Sequence, residues 1–334
     1  MRTLTAVSDR FELIEVRRAR GAASFADEVS AGLTARSKHL SSKFFYDDIG
    51  STLFDAITLL PEYYLTRCET EILREWGWQI VRLLDAPLDF LELGSGSAIK
   101  TRLLIDEALR IQGRLRYSPV DISKEALRVS SMALVDAYPK LAVRAYAGDY
   151  FDVLAAPDFR RGFDRKVLAM FMGSNVGNYQ PAQARGLLAL FADALRPGDG
   201  LLLGTDLKKD AATIELAYDD PTGVTAAFDK NVLARINREL DADFDLRNFT
   251  HVVRYDADRG VLESFLEARD AAAVELRAVG KRITFAAGER IHTESSYKFS
   301  DDDVAALGVA TGFALKKTWH DRAHRFSVHL LVRD

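Results

Sequence analysis

Leu88-Asp89-Phe90-Leu91-Glu92-Leu93-Gly94-Ser95-Gly96-Ser97 is the stretch that decides the fold of this chain. A short apolar run that ends in glycines is typical of the first strand of a doubly wound α/β sheet. Glycine lets the backbone turn sharply and approach a ligand without a Cβ clash. A helical pattern follows over residues 100–111. The stretch therefore predicts a strand, a ligand-binding turn over residues 94–97 and a helix.

Apolar runs and amphipathic segments alternate after this turn. Such alternation indicates βαβ units and a parallel sheet. The predicted strands cover residues 115–120, 141–147, 166–172 and 201–203, and the predicted helices cover residues 100–111, 124–138 and 180–195. Near the end of the chain the pattern predicts a helix over 301–311 and a hairpin of strands 314–319 and 326–332. The fold class is therefore α/β, with a doubly wound sheet whose last strand is reversed.

Residues 210–298 interrupt this alternation. They contain a long helical pattern and then segments typical of antiparallel strands, over residues 223–240, 252–255, 261–268 and 274–276. We interpret them as an insertion that forms a second, α+β domain with the N-terminal segment. The predicted cofactor-binding domain comprises residues 68–208 and 299–334, and the predicted substrate-binding domain comprises residues 14–67 and 209–298.

The composition argues against several classes of protein. The chain has 334 residues, 48% hydrophobic and 28% charged, which is typical of a globular protein. Cys68 has no partner cysteine, which fits a reducing compartment, and no apolar run approaches membrane-spanning length. The net charge of −4 argues against a nucleic-acid partner. We expect a cytoplasmic monomer without a membrane or nucleic-acid partner.

His320 and His324 have a spacing that would allow a metal site on a helix. The residues between them resemble a turn, so no metal is expected.

Acidic residues at the strand ends indicate which cofactor is bound. A dinucleotide fingerprint needs glycine where Ile99 stands. Glu92 precedes the glycines, where it would repel a pyrophosphate but attract a sulfonium or an amine. Asp121 follows the second strand and can accept from ribose hydroxyls; Asp149 follows the third and can accept from an adenine amine, while Tyr150 covers the ring. The pattern favours S-adenosylmethionine over a nicotinamide dinucleotide.

Each acid also has a structural alternative. Glu92 can cap a turn, Asp121 can lie at a helix N-terminus, and Asp149 can be a solvated loop residue. Their common position at the ends of strands favours the cofactor.

Longer motifs carry a resemblance over residues 44–332. The chain resembles the L-histidine Nα-methyltransferase family of the ergothioneine pathway, which forms hercynine. The segments that carry the resemblance are KFFYDDIGS (43–51), LPEYYLTR (60–67), ELGSG (92–96), FMGSNVGN (171–178), AYDD (217–220), FDKN (228–231) and HTESSYKF (292–299). The resemblance implies a class I methyltransferase (Rossmann-like) sheet, S-adenosyl-L-methionine as cofactor and a free amino acid, L-histidine, as substrate.

The resemblance also implies roles for individual residues. Asn178 and Tyr218 match positions that hold the substrate carboxylate, and Tyr46, Tyr63 and the Gly173 backbone match positions around the α-amino group. The predicted catalytic residues are Tyr46, Tyr63 and Asn178. The predicted substrate-binding residues are Tyr63, Gly173, Asn178, Tyr218, Ser264, Glu294 and Ser296. The predicted cofactor-binding residues are Glu92, Gly94, Ser95, Gly96, Lys100, Asp121, Asp149 and Tyr150.

Ser264 departs from the family pattern, which often has methionine at this position. The smaller serine widens the pocket near the substrate ring or admits a water, and so bears on the choice of amino acid.

The chemistry of methyl transfer suits these residue types. The reaction is an in-line displacement that needs alignment and a deprotonated amine, but no metal or covalent nucleophile. Tyr46 and Tyr63 can accept or relay the proton. Glu294 can accept a hydrogen bond from an imidazole N–H, and Ser296 can serve the other ring nitrogen. A leucine or phenylalanine substrate would leave Glu294 without a partner.

Simpler interpretations apply to the same residues when the resemblance is set aside. Glu294 and Ser296 alternate on a strand and would both face solvent. Tyr63 would be a core aromatic residue, Tyr218 a helix-surface residue and Asn178 a turn residue.

Three functional alternatives remain open from the sequence. The first is an α-N-methyltransferase of another amino acid, such as tryptophan or tyrosine. The second is a protein that binds S-adenosylmethionine without turnover, and the third is a nicotinamide oxidoreductase.

Overall fold

The computed structural model describes residues 2–16, 23–85, 87–96, 98–156, 159 and 163–334, with the backbone alone for residues 2–7. Contacts between Cα atoms divide the chain into two compact units. Unit 1 comprises Met1–Arg20, Leu65–Leu207 and Phe299–Asp334, and unit 2 comprises Gly21–Tyr64 and Lys208–Lys298. The predicted domain boundaries at residues 14 and 67 differ from this division, because residues 14–16 lie in a strand of unit 1 and residues 65–67 belong to a helix of unit 1.

Unit 1 is built on a sheet of nine strands among the described residues. Its strands are β1 (Arg2–Ser8), β2 (Phe11–Val16), β3 (Leu88–Leu93), β4 (Leu115–Asp121), β5 (Leu141–Ala147), β6 (Lys166–Phe171), β7 (Gly200–Asp206), β13 (Phe313–His320) and β14 (Phe326–Arg333). Its helices are α3 (Tyr64–Arg82, whose first residue belongs to unit 2), α4 (Thr101–Gln112), α5 (Lys124–Ala137), α6 (Tyr150–Leu154), α7 (Pro181–Ala194) and α10 (Asp301–Val309).

The strand order confirms the predicted doubly wound sheet. The order is β1-β2-β5-β4-β3-β6-β7-β14-β13, and β14 pairs antiparallel with β7. The chain therefore moves outward from β3 to β5 and then returns to β6 on the other side of β3. The switch point lies between β3 and β6, beside the glycine turn, where ligands of such sheets bind.

The central strands are continuous apolar runs because helices cover both faces of such a sheet. All six residues of β3 and all seven of β7 are buried. The predicted strand 201–203 extends in the structure to Gly200–Asp206. The extension is rich in glycine and polar residues, which carry no strand pattern.

An N-terminal hairpin extends one edge of the sheet. β1 pairs antiparallel with β2, and β2 pairs in parallel with β5, with Phe11 opposite Val143. Neither of these two strands was predicted from the sequence.

Unit 2 combines helices with antiparallel strands. Its helices are α1 (Phe25–Thr34), α2 (Asp48–Ile57), α8 (Ala211–Tyr218) and α9 (Val224–Leu240), and its strands are β8 (Phe249–Asp256), β9 (Val261–Ala268), β10 (Ala272–Leu276), β11 (Lys281–Phe285) and β12 (Arg290–Tyr297). Among the described residues, β12, β9 and β8 form one sheet in that order, and β10 pairs with β11. The strand predicted over residues 261–268 is confirmed.

A β-bulge in β12 determines which side chains share a face. Before the bulge, His292 pairs with Phe265 of β9; after it, Glu294 pairs with Ser264 and Ser296 pairs with Leu262. The bulge inserts one residue, so it shifts the alternation of side chains along β12. Glu294 and Ser296 therefore lie on the same face as Ser264.

Candidate functional site

The glycine turn after β3 is shaped for close approach. Gly94 has φ +70° and Gly96 has φ +47°, a region that favours glycine. A Cβ on Gly94 would lie 2.6 Å from the Tyr150 hydroxyl and 3.0 Å from Asn175 Nδ2. No atom lies within 4 Å of the corresponding point on Gly96. The backbone at Gly96 is thus open to a ligand. Ser97 lies outside the described residues.

Asp121 lies beside this turn, as its position at the end of β4 predicted. Its carboxylate accepts hydrogen bonds from the backbone N–H of Gly96 at 3.2 Å and of Ser123 at 3.0 Å. Burial raises its pKa, although these backbone donors act in the opposite direction. A carboxylate has about four acceptor positions, so these backbone donors do not use all of them and ligand hydroxyls can bind the rest.

Asp149 and Tyr150 lie at the start of α6. The Asp149 carboxylate accepts from the backbone N–H of Phe151 at 2.9 Å and so caps the helix. The ring of Tyr150 packs edge-to-face on Phe171, with 5.9 Å between ring centroids. The close approach of its hydroxyl to Gly94 places the ring beside the glycine turn.

Glu92 lies in the interior of unit 1. It is 3% exposed, and its carboxyl group accepts hydrogen bonds from Thr101 Oγ1 at 2.7 and 2.8 Å and from the Tyr117 hydroxyl. Burial raises the pKa of Glu92 to about 7. The carboxyl group joins β3 to α4 and β4 through side-chain hydroxyls, so its oxygens are used within unit 1. Ser95, the next predicted polar residue, is also buried.

Glu69 of α3 was missed by the sequence analysis. Its side chain is fully buried, and its oxygens accept from the backbone N–H of Gly173 at 2.9 and 3.1 Å. It also forms an ion pair with Lys100. A Cβ on Gly204 would lie 2.2 Å from Glu69 Oε1, so glycine in β7 makes room for this carboxylate. Glu69 thus joins Lys100 to the turn after β6.

The turn after β6 contains two further predicted residues. Gly173 and Ser174 have φ values of +73° and +59°, and a 3-10 turn then covers Asn175–Asn178. Ser174 Oγ accepts from the backbone N–H of Asp206 at 2.9 Å, and the Gly173 N–H is taken by Glu69. These two hydrogen bonds fix the start of the turn. Asn178, the last residue of the 3-10 turn, is half-buried.

These residues of unit 1 fit S-adenosylmethionine. The open backbone at Gly96 gives access, Asp121 offers acceptors for ribose hydroxyls, and Tyr150 offers an aromatic face. Lys100 offers a cation to a carboxylate. These are the groups that an adenosyl amino acid requires.

Aromatic residues of unit 2 surround the predicted amine-binding tyrosines. The ring of Tyr46 lies 5.6 Å from Phe54 and 5.5 Å from Phe228, and Tyr63 lies 6.2 Å from both Phe54 and Tyr218. Tyr63 and Tyr218 are each 8% exposed. The structure thus brings three predicted tyrosines of unit 2 together, and the interpretation of Tyr218 as a surface residue is wrong.

Glu294 and Ser296 do not face open solvent, so the solvated alternative is wrong. Ser296 is 1% exposed, Glu294 is half-buried, and the adjacent Ser264 is 2% exposed. Burial raises the pKa of Glu294 to about 7, and the charge of Asp229 contributes. A half-buried carboxyl group beside small polar side chains suits a ligand with an N–H.

His251 and Asp229 were also missed by the sequence analysis. His251 Nδ1 lies 2.6 Å from Asp229 Oδ2, and Nε2 lies 2.9 Å from the backbone oxygen of Tyr218. Burial disfavours the charged ring, but the hydrogen bond that the ring donates to Asp229, together with the charge of that carboxylate, outweighs burial and raises the pKa of His251. Because both ring nitrogens face acceptors, we assign an imidazolium that donates twice. It holds the backbone of Tyr218.

Other candidate groups lack the features of a site. His320 Nε2 lies 3.0 Å from Asp301, and its ring stacks beside His324, but no group of three or more potential metal ligands occurs among the described residues. Burial raises the pKa of the Cys68 thiol to about 12, which removes its nucleophilic form at neutral pH. No helix in the described part of the chain is long and apolar enough to cross a membrane.

Comparison with known proteins identifies the family. A family model described as histidine-specific methyltransferase, SAM-dependent, matches residues 25–333. The histidine N-alpha-methyltransferase of Mycolicibacterium smegmatis is 44% identical over 307 residues, 92% of this chain and 94% of that protein. Its counterpart from Mycobacterium tuberculosis is 43% identical over the same length and shares of each chain.

A fungal relative matches over a shorter part of its own length. The ergothioneine biosynthesis protein 1 of Schizosaccharomyces pombe is 29% identical over 301 residues, 88% of this chain and 39% of that protein. The family model and the two bacterial relatives confirm the resemblance inferred from the motifs. The chain belongs to the S-adenosylmethionine-dependent, histidine-specific methyltransferases.

Proposed function

We propose that this enzyme methylates the α-amino group of free L-histidine, three times in succession, to form hercynine, the first step of ergothioneine biosynthesis. The observation that carries the proposal is the common face of Glu294 and Ser296 after the β12 bulge. An imidazole can donate to the carboxylate through one nitrogen and meet the hydroxyl through the other. An apolar side chain would leave both groups unpaired.

Residues of unit 1 hold the methyl donor in this proposal. S-adenosylmethionine supplies an electrophilic methyl group on a sulfonium that is already a good leaving group. Asp121 accepts from the ribose hydroxyls, Asp149 and Tyr150 contact the adenine, and Lys100, held by Glu69, meets the carboxylate of the donor. The glycine turn admits the donor without a steric clash.

The amine must lose a proton before each transfer, because an ammonium has no lone pair. The reference pKa of an α-amino group is about 8 and that of a free amino acid is higher, so the substrate arrives mainly as an ammonium near neutral pH. Tyr46 and Tyr63 accept or relay this proton, and Asn178 and the Gly173 carbonyl orient the amine. Alignment of the amine with the methyl carbon supplies much of the rate enhancement.

A second candidate is Nα-methylation of a larger amino acid such as tryptophan or tyrosine. Ser264 favours it, because the small side chain lies directly opposite Glu294 where the family often has methionine. Glu294 and Ser296 together oppose it, because an indole or a phenol has a single polar group on its ring and cannot meet both residues as an imidazole can.

Mass spectrometry of the purified protein with S-adenosylmethionine and the twenty amino acids tests these candidates. We expect L-histidine to gain three methyl groups, with lighter intermediates at early times. A gain of mass by another amino acid would replace histidine as substrate and keep the chemistry. No gain of mass by any amino acid would contradict the proposed reaction.

The compartment and the oligomeric state complete the proposal. We propose a cytoplasmic enzyme that acts as a monomer. Light scattering during size-exclusion chromatography tests the second point, and a mass of twice the chain's 37.2 kDa would contradict it.

A further inference from the structure

Basic residues stand directly before four parallel strands of unit 1. The residues that precede β2, β4, β5 and β6 are, in that order, Arg10, Arg114, Lys140 and Arg165. These strands lie around β3 in the order β2-β5-β4-β3-β6, and each neighbouring pair is parallel. Their amino ends therefore meet at one end of the sheet, and the four basic residues meet there with them.

A cleft opens at this amino end of the sheet. Its volume is about 450 Å³, which lies in the range of small-molecule sites. The charged residues that line it are Arg10, Asp89, Arg114, Arg116, Lys140, Asp164 and Arg165, all of unit 1. The glycine turn lies at the carboxyl end of β3, and the six residues of that strand span about 20 Å. The cleft is therefore separate from the cofactor turn.

Arg116 contacts the two acidic side chains that line the cleft in the described part of the chain. Its guanidinium lies 3.9 Å from Asp89 Oδ2 and 3.3 Å from Asp164 Oδ2. Burial raises the pKa of Asp89, and the charges of Arg116 and Arg165 oppose this rise. The two carboxylates are therefore opposed by two of the five cations.

Arg10, Arg114 and Lys140 form no ion pair with any residue that the structure describes. Arg10 donates through Nη1 to the backbone oxygens of Tyr138 at 2.9 Å and Leu141 at 3.2 Å. These carbonyls hold the guanidinium beside the start of β5 and leave its positive charge in place. Arg114 and Lys140 are exposed. Three cations are thus available to a ligand in the cleft.

The chemistry of these cations selects a compact anion with more than one negative charge. A guanidinium presents forked N–H donors that match phosphate oxygens, and a lysine ammonium adds a point charge. The whole chain has a net charge of −4, so the positive charge of the cleft is a local feature. A phosphate or diphosphate group matches it.

We propose that the amino end of the sheet binds a phosphate or diphosphate group, as a second small-molecule site remote from methyl transfer. Arg10, Arg114 and Lys140 hold the anion and so connect the starts of β2, β4 and β5. A ligand that binds only the folded chain stabilises it by mass action. The inference does not depend on which amino acid the enzyme methylates.

Calorimetric titration with inorganic diphosphate tests the site. The enzyme is saturated with S-adenosylhomocysteine, so that the cofactor turn is occupied, and sodium chloride keeps the ionic strength constant, because salt screens exposed charges. We expect saturable binding to wild type. The double variant Arg114→Gln/Lys140→Gln removes two exposed charges, so its Kd should be at least about 10-fold higher, as expected for hydrogen bonds to charged groups.

The double variant Lys316→Gln/Lys317→Gln is the matched control. Both lysines are exposed in β13, the last strand in the sheet order, so this variant removes the same charge outside the cleft. Its Kd for diphosphate should stay within about twofold of the wild-type value. Diphosphate should also raise the Tm of wild type and of this control more than that of Arg114→Gln/Lys140→Gln.

Absence of saturable binding to wild type would overturn the inference. The same Kd in wild type and in Arg114→Gln/Lys140→Gln would also contradict it, because the anion would then bind elsewhere. Equal weakening in the two double variants would reveal a general attraction for anions and would refute a site at the cleft. Titration of ADP distinguishes the sources of the anion: tighter binding than that of diphosphate supports the site as one for a nucleotide, and equal or weaker binding supports it as one for the free anion.

Discussion

Replacement of Glu294 is the sharpest test of how the enzyme recognises the imidazole. Glu294 lies opposite Ser264 on one face of the strand pair, and burial raises the pKa of its carboxyl group to about 7. In Glu294→Ala the imidazole N–H loses its acceptor and remains buried. Loss of a hydrogen bond to a charged partner costs about 1.5–3 kcal/mol, which corresponds to a Kd for L-histidine about 10- to 100-fold higher.

The cofactor provides an internal comparison. The predicted cofactor-binding residues all lie in unit 1, and Glu294 lies in unit 2. We therefore expect calorimetry to show an unchanged Kd for S-adenosylhomocysteine in Glu294→Ala. Glu267→Ala is the matched control, because Glu267 pairs with Arg290 on the opposite face of the same strands. It should change neither Kd.

The contribution of Glu294 to the binding of L-histidine should increase with pH. The carboxylate is the stronger acceptor, and it forms as the pH rises through about 7. The ratio of the Kd of Glu294→Gln to that of wild type should therefore increase between pH 6 and pH 8. The ratio cancels the titration of the ligand's own imidazole. Equal loss of histidine and cofactor binding in Glu294→Ala, or a ratio that does not change with pH, would refute the assignment of Glu294.

Three other replacements test the remaining features. Glu69→Gln keeps an acceptor for the Gly173 N–H but removes the charge opposite Lys100. The Kd for S-adenosylmethionine should therefore rise by about 10-fold. An unchanged Kd would contradict the role of Glu69. Ser264→Met fills the buried space beside Glu294, so competition assays should show a higher preference for histidine over tryptophan. An unchanged preference would contradict the proposed location of the substrate's side-chain ring beside Ser264. Glu92→Gln tests the contribution of Glu92 to stability. Folding raises the pKa of Glu92 from 4.5 to about 7, so the folded protein holds this proton more tightly than the unfolded chain. The free energy of unfolding of wild type should therefore fall by about 3 kcal/mol as the pH rises from 4.5 through 7. Urea unfolding at pH 5 and pH 8 should show a smaller decrease in Glu92→Gln, and the same decrease in both proteins would contradict a buried, protonated Glu92.

The parallel sheet could be predicted from the sequence because its strands are buried on both faces. Their apolar runs are continuous, and ligand-binding residues follow the strand ends by a topological rule. The hairpin of β1 and β2 could not be predicted in the same way. Phe11, Leu13 and Ile14 are buried, but glutamates interrupt them, and the mixture resembles an unstructured terminus.

The residues missed by the sequence analysis share a physical reason. Glu69 lies in α3 and Asp229 lies in α9, and charged residues of helices are usually solvated. Only the fold buries them and supplies their partners, Lys100 for Glu69 and His251 for Asp229. A pattern along the chain does not contain such pairs, because their members are 31 and 22 residues apart. Burial of a charge is the signal that identifies them.

Hydrogen-bond partners distinguish acids that look equivalent in the sequence. Glu92 and Asp121 both stand at the ends of strands beside the glycine turn, and both have a pKa raised by burial. The oxygens of Glu92 accept from Thr101 and Tyr117, so they are used in the interior of unit 1. The oxygens of Asp121 accept from backbone N–H groups at the edge of the turn. Because a carboxylate offers about four acceptor positions, Asp121 retains some for ribose hydroxyls. This difference favours a framework role for Glu92 and leaves the recognition of the cofactor to Asp121.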